Sequence, residues 1–223
     1  MTALVFGLDE TGVWIATDSL ALTTGGNPHK YASKIFPLPH LSAALVGTGS
    51  MNVVVDWYAQ VQMNVIACNI LYLNSIAPAI LHDISKKHEY LGVTTTTIYH
   101  FGYDDDQARF RGFAFRSTNG FACEELIYGV GVKPYGEELL TAFIAECSGA
   151  PSLEDIIGLV EQQKKRDDSL PQDKRLGIGG EIHFLLLNDQ GQYLWRCHRF
   201  PEYSQLYAQM LNSLAKAQQQ GPE

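Results

Sequence analysis

The apolar segments of this chain come in pairs separated by short polar turns, and this pairing constrains the fold more than any other feature of the sequence. The first pair covers residues 3–8 and 13–17, with Asp9-Glu10-Thr11-Gly12 between them. Two apolar segments joined by a glycine-containing turn predict a β-hairpin. Residues 34–38 and 42–46 predict a second hairpin across Pro39-His40.

After these hairpins the apolar spacing changes to that of helices. Ser50 is a suitable cap for a helix of about 18 residues with apolar side chains at helical spacing, and a second helix is predicted over residues 75–90. The remaining predicted elements are strands at 94–103, 109–117 and 120–128, helices at about 135–147 and 153–167, strands at 181–188 and 192–198, and a last helix at 203–217.

This order of elements predicts an α+β class. Hairpins joined by short turns imply antiparallel sheets, and helices that arrive in pairs imply helix layers on two stacked sheets. With 223 residues the chain is long enough for one domain with a large core. We therefore expect a single domain over residues 1–217 and a disordered tail at 218–223.

Composition excludes several functional classes. The net charge is −8 and no basic stripe is present, which argues against a nucleic-acid partner. No basic segment precedes the first apolar run, and polar residues interrupt the longest one at 53–81, so neither a signal peptide nor a membrane span is expected. The four cysteines contain no CxxC pair, so we expect reduced thiols, no metal site and a cytoplasmic location.

Thr2 stands directly behind Met1, and this position has chemical consequences. A threonine hydroxyl is a weak nucleophile that needs a base beside it. A threonine at the chain terminus carries that base itself, because the unperturbed pKa of an α-amine is about 7.7–8.0. Residue two is small, a type that allows removal of the initiator methionine. Many proteins begin with Met-Thr by chance, however, so this feature alone is weak.

Three further residues lie where strands end, and together they strengthen the case. Asp18 ends the second predicted strand, Lys34 opens the third, and Gly47 ends the fourth. A lysine beside a threonine hydroxyl favours the alkoxide, a carboxylate orients the lysine, and a free backbone N–H can stabilise an oxyanion. Each residue alone also fits a plain role as a turn residue or a solvated charge.

The spacing of these residues resembles that of proteasome β subunits, a family that includes the bacterial HslV peptidase. Asp18 in Ala16-Thr17-Asp18-Ser19 lies 16 residues after Thr2, and Lys34 lies 32 residues after it. Gly47-Thr48-Gly49 is similar to the family's turn before the first long helix. The order of strands and paired helices also matches over residues 2–198.

The resemblance implies a four-layer αββα sandwich, the N-terminal-nucleophile hydrolase fold. Thr2 would be the nucleophile and its amine the base, while Lys34 tunes the hydroxyl, Asp18 holds Lys34 and the Gly47 amide forms the oxyanion hole. The reaction would be threonine-type endopeptidase hydrolysis of peptides or unfolded proteins through an acyl-enzyme, with no metal and no cofactor. Members of the family assemble into homo-oligomeric rings of six or seven, which implies a ring and an ATP-dependent unfoldase as partners.

Two segments depart from the family pattern. The turn before the third helix, Gly129-Val130-Gly131-Val132, lacks the usual serine, and Ile178 stands where a second serine is expected. Asp167 is the best match for the acid that supports the terminal amine, with Asp168 and Ser169 as possible substitutes. The divergent residues 170–177 could form a ring contact or a lid.

Three functions stay open from the sequence. The first is a threonine peptidase inside a ring. The second is a catalytically silent subunit, which the absent serines favour. The third is an N-terminal-nucleophile amidase that acts on a small amide, because the same nucleophile serves across this wider fold.

Overall fold

The structure is a computed structural model that describes residues 2–23, 25–92, 95–147 and 149–219. Its strands, in chain order, are β1 Leu4–Asp9, β2 Gly12–Asp18, β3 Leu20–Leu22, β4 Pro28–Tyr31, β5 Ile35–Leu38, β6 Ala43–Thr48, β7 Thr97–Asp104, β8 Arg109–Arg116, β9 Cys123–Glu125, β10 Gly129–Lys133, β11 Glu181–Asn188 and β12 Gly191–Arg199. Its α-helices are α1 Met51–Met63, α2 Ile70–Lys87, α3 Gly136–Glu146, α4 Leu153–Asp168 and α5 Tyr203–Gln219.

Two five-stranded sheets carry the architecture. One has the strand order β10-β1-β2-β11-β12 and the other β5-β6-β7-β8-β9. Every strand pair in them is antiparallel. A separate two-stranded sheet joins β3 to β4.

Three apolar cores separate four layers. The first lies between α1, α2 and the β5–β9 sheet and is centred on Trp57. The second lies between the two sheets, where Phe6 and Phe101 meet with ring centroids 4.9 Å apart. The third lies between the other sheet and α3 and α4. The predicted αββα sandwich of two antiparallel sheets flanked by helix pairs is therefore confirmed.

Local signals set the ends of the long helices. Ser152 and Asp155 form the reciprocal capping box of α4, as the predicted cap at Ser152 requires. α2 begins at Ile70, earlier than predicted, because Asn69 Oδ1 accepts the Tyr72 N–H at 2.9 Å and caps the helix there. α1 begins directly after Ser50 as predicted, but the Ser50 side chain makes no capping hydrogen bond.

Several elements differ from the sequence prediction. β3 and β4 form a small sheet that was not predicted, and α5 packs on β4 through stacked rings of Tyr31 and Tyr203 at 4.4 Å. The strand predicted at 120–128 is only the short β9, and β10 follows in a glycine-rich segment. α5 continues to Gln219, two residues into the expected tail, and residues 220–223 lie outside the described part.

Within the described residues, no helix combines the length and the apolar character that a membrane span requires.

Candidate active site

The register of β1 and β2 brings the start of the chain beside Asp18. Leu4 pairs with Thr17, and one step further the Asp18 N–H donates to the Ala3 carbonyl at 3.4 Å. The Ala3 N–H in turn donates to Asp18 Oδ1 at 2.9 Å. The peptide group that directly follows Thr2 is thus fixed to the Asp18 carboxylate.

Asp18 also holds Lys34. The Lys34 ammonium lies 2.7 Å from Asp18 Oδ1, and both side chains are buried, at 1 % and 0 % exposure. Asp18 Oδ2 accepts the Gly179 N–H at 3.2 Å. An ion pair removed from water needs such additional hydrogen bonds, because desolvation of the two charges is costly.

Burial has an electrostatic consequence for Lys34. Desolvation lowers the pKa of its ammonium, and the charge and hydrogen bond of Asp18 oppose part of that shift. An ammonium shielded from water interacts more strongly with a nearby developing negative charge than an exposed one does.

Thr2 and Gly47 lie at the same end of the sandwich. Thr2 is 3 % exposed and immediately precedes the Ala3–Asp18 contact. β5 and β6 pair Ile35 with Val46, so the register extended by one step sets Lys34 opposite Gly47. A Cβ on Gly47 would lie 2.3 Å from a Val54 methyl on α1, so only glycine allows α1 to approach β6 this closely.

Asp167 is a buried acidic residue near the end of α4, and its carboxylate binds a loop. Its Oδ1 accepts the Tyr135 hydroxyl at 2.9 Å and the Leu176 N–H at 2.8 Å. Its Oδ2 accepts the Gly177 and Ile178 N–H groups at 2.9 and 3.3 Å. Through these hydrogen bonds the Asp167 carboxylate anchors residues 176–178.

The two substitutes considered for Asp167 point elsewhere. Asp168 is exposed and accepts the Lys164 ammonium at 2.9 Å. Ser169 is exposed, and its hydroxyl donates to the Arg166 carbonyl at 2.6 Å. Neither described contact leads toward Thr2.

The anchored loop continues directly into the Asp18 environment. Gly179 donates its N–H to Asp18, and its carbonyl accepts the N–H groups of Ser19 and Leu20 at 3.2 and 3.0 Å. The Glu181 N–H donates to Ser19 Oγ at 2.8 Å. A continuous set of contacts therefore links Asp167, through the loop 176–180, to Asp18 and Lys34.

The sequence singled out residues 170–177 as a ring contact or a lid and Ile178 as the site of an expected serine, but it indicated neither Tyr135 nor the contact of this loop with Asp18. Tyr135 follows β10 and has a φ of +64°, an uncommon conformation for a non-glycine residue. Burial, followed by the hydrogen bond to Asp167, raises the pKa of its phenol to about 12. Gly177-Ile178-Gly179-Gly180 was the available signal, since clustered glycines mark close backbone approach.

Comparisons with known proteins identify the fold. No protein-family model and no curated protein matches the chain. Among solved structures, the Gly-1 mutant of Anbu from Hyphomicrobium sp. strain MC1 matches with a TM-score of 0.62 and 13% identity, over 100% of this chain and 99% of that one. A second Anbu structure from the same strain matches with a TM-score of 0.59 over the same shares. The shared fold is that of the N-terminal-nucleophile hydrolases.

The comparisons correct the expected family. The chain was predicted to be a divergent member of the proteasome β-subunit and HslV-like family, and that assignment is wrong, because the two solved structures reported above are of Anbu. At 13% identity the likeness extends to the fold alone. A ring-shaped assembly, a peptide substrate and an unfoldase partner stay predictions, as do the roles assigned to Thr2, Asp18, Lys34, Gly47 and Asp167.

Proposed function

We propose that this protein is a threonine-type peptidase that hydrolyses peptide bonds with Thr2 as its nucleophile. The observation that carries the proposal is the buried arrangement next to Thr2, in which one oxygen of Asp18 binds both the Ala3 N–H at 2.9 Å and the Lys34 ammonium at 2.7 Å. The Asp18 oxygen thus holds the backbone next to Thr2 and the Lys34 ammonium close to each other.

The chemistry requires a free amine on Thr2. In the chain as written, the Thr2 nitrogen belongs to the peptide bond with Met1 and has no basic lone pair. Once that bond is cut, the amine has an unperturbed pKa of about 7.7–8.0 and can accept the hydroxyl proton near neutral pH.

The reaction then follows in two stages. Thr2 Oγ attacks the carbonyl carbon of the substrate while its proton passes to the amine, and the buried Lys34 ammonium stabilises the developing negative charge. The carbon–nitrogen bond breaks, the proton moves from the amine to the leaving nitrogen, and the acyl group remains as an ester on Thr2. Water attacks this ester, the amine takes the water proton and returns it to Oγ, and the acid leaves.

Gly47 supports the proposal as the donor to the oxyanion. Its position opposite Lys34 in the extended β5–β6 register sets its backbone at the end of the sandwich where Thr2 lies. A backbone N–H is a suitable donor because it is already fixed before charge develops on the substrate oxygen.

Two measurements on purified protein test this function. Intact mass spectrometry is expected to show loss of Met1. A peptide epoxyketone is then expected to add to Thr2, and Thr2→Ala is expected to abolish the adduct without changing the circular dichroism spectrum. A retained Met1, or an adduct elsewhere in the chain, would contradict the proposal. An adduct on Thr2 with turnover of small amides only would favour the amidase.

A further inference from the structure

A second lysine lies beside Thr2, on the side opposite Lys34. Lys133 is the last residue of β10 and pairs with Leu4 of β1. Leu4 faces the core between the two sheets, and the alternation of side chains along a strand sets Thr2 on the same face. Residues directly opposite each other in an antiparallel pair also share a face, so Lys133 points into the same space.

The contacts of Lys133 agree with this placement. Its ammonium donates to Thr97 Oγ1 at 3.3 Å and lies 5.8 Å from the centre of the Tyr99 ring. Thr97 belongs to the opposite sheet and pairs with Thr48, the residue after Gly47. The Lys133 side chain therefore crosses between the sheets at the end that carries Thr2 and Gly47.

The strand order places Thr2 between the two lysines. β1 lies between β10, which carries Lys133, and β2, which ends at Asp18, the partner of Lys34. In the other sheet, β6 with Gly47 lies between β5 and β7 in the same sense. Thr2 is thus in the middle of the order in one sheet, and Gly47 is in the middle of the corresponding order in the other.

The two lysines differ in their partners. Lys34 is neutralised by a buried carboxylate. Lys133 is half-buried and, within the described part of the chain, forms no salt bridge. Partial burial lowers the pKa of its ammonium, and the nearby charge of Arg116 lowers it further. The charge of Glu124 opposes this shift, but the Glu124 carboxylate itself binds Arg116 at 2.9 Å.

We propose that Lys133 binds a carboxylate of the substrate and gives the enzyme a preference for peptides with an acidic group close to the cleaved bond. The inference rests on the proposed function of Thr2. Strand geometry sets the Cα atoms of Thr2 and Lys133 roughly 8 Å apart, which corresponds to about two residues of an extended peptide. The carboxylate can belong to an acidic side chain or to a free peptide C-terminus.

A binding experiment without turnover tests the proposal. Thr2→Ala protein is titrated with peptides of one length in four forms: neutral and C-terminally amidated, neutral with a free C-terminus, amidated with one aspartate, and amidated with one lysine. We expect an acidic form to bind at least about 10-fold more tightly than the neutral amide, a gain of about 1.4 kcal/mol. The tighter of the two acidic forms identifies the source of the carboxylate.

Variants at Lys133, made in the Thr2→Ala protein, assign the preference to this side chain. Lys133→Gln is expected to remove the preference for the acidic peptides and to leave the affinity for the neutral amide unchanged. Lys133→Arg is expected to keep the preference for the acidic peptides. Lys133→Glu is expected to bind the lysine peptide most tightly. Lys87→Gln, at an exposed position at the end of α2, is the matched control. Equal binding of all four peptides, absence of peptide binding, or an unchanged preference in Lys133→Gln would overturn the proposal.

The Lys133 binding experiment and the Thr2 labelling experiment can fail independently of each other. If the epoxyketone fails to label Thr2 while the carboxylate preference depends on Lys133, the peptidase function falls and the carboxylate site stands. If labelling succeeds and Lys133→Gln binds all four peptides as the parent does, the carboxylate site falls and the peptidase function stands.

Discussion

At the scale of single residues, the Asp18 carboxylate does more than pair with a lysine. It accepts hydrogen bonds from the chain start, from Lys34 and from the Gly179 N–H. The first predicted hairpin indicated the contact with the chain start, and the family resemblance implied the pairing with Lys34. Neither indicated the contact with Gly179, which is 161 residues away and is brought near only by the packed loop.

Loss of the Asp18 charge is expected to destabilise the fold strongly. Asp18→Asn presents an amide to a buried ammonium, and breaking one partner of a buried ion pair costs about 3–5 kcal/mol. Urea unfolding followed by circular dichroism measures this loss. Asp83→Asn, at an exposed position on α2, is the control and is expected to change the free energy of unfolding by less than about 0.5 kcal/mol. Equal effects of the two substitutions would show that Asp18 does not stabilise the site as an ion.

Tyr135 allows a finer test of the Asp167 anchor. Tyr135→Phe removes a single hydroxyl that donates to Asp167, and the loss of one such bond is expected to cost about 1–2 kcal/mol. The same variant is expected to slow labelling of Thr2, because the loop that Asp167 holds continues to the Asp18 environment. Tyr72→Phe, on the half-exposed surface of α2, is the control for both measurements. An unchanged labelling rate would separate the Asp167 anchor from the site.

At the scale of elements, prediction succeeded where periodicity was strong and failed where packing decided the conformation. The apolar period and the cap at Ser152 located α4 closely, and the period located the start of α1, which has 13 residues instead of the roughly 18 that were predicted. β10 was missed because its Gly129 and Gly131 have no side chains to show alternation, and a Cβ on Gly131 would lie 2.2 Å from the Phe6 ring. β4 was missed because Pro28-His29-Lys30-Tyr31 has no apolar alternation and is stabilised by α5.

The loop 176–180 depends on glycine, and a matched pair of substitutions tests this. Gly177 has a φ of +75°, and a Cβ there would lie 2.2 Å from a Leu22 methyl. Gly177→Ala is therefore expected to destabilise the protein by about 1–3 kcal/mol. Gly158→Ala, inside α4 with open space around its Cα, is expected to stabilise it by about 0.5–1 kcal/mol. Thermal unfolding of the two variants should shift in opposite directions, and parallel shifts would contradict this account of the loop.

At the scale of the whole molecule, a buried polar network links the outer helices to the sheet below them. The Trp57 indole N–H donates to His100 Nε2 at 2.8 Å, so the neutral ring carries its proton on Nδ1, which lies 2.7 Å from Asn74 Oδ1. Burial lowers the pKa of His100 to about 3. No sequence pattern indicated this network, since its members come from α1, α2 and β7.

His100 is expected to make global stability depend on pH. Its pKa is near 6.5 in the unfolded chain and about 3 in the folded one, so between these values the unfolded state binds one more proton. The contribution of the neutral His100 ring to the free energy of unfolding is complete above pH 6.5. It is lost as the pH falls toward 3, by about 1.4 kcal/mol per pH unit.

Urea unfolding between pH 4 and pH 7 measures this slope. His100→Gln is expected to lower the free energy of unfolding at pH 7. It is also expected to reduce the slope of that free energy against pH by the equivalent of about one proton. His29→Gln, at an exposed position on β4, is the control. Parallel slopes for the two variants would contradict the assignment of this proton to His100.

The central claim concerns Thr2, and one measurement tests it most directly. Purified protein is treated with a peptide epoxyketone, digested and sequenced by tandem mass spectrometry, beside Thr2→Ala and Lys34→Met variants. The account predicts a chain that begins at Thr2, one adduct that joins both the hydroxyl and the amine of that residue, no adduct in Thr2→Ala and at least about 100-fold slower labelling in Lys34→Met. A chain that retains Met1 and stays unlabelled would contradict it.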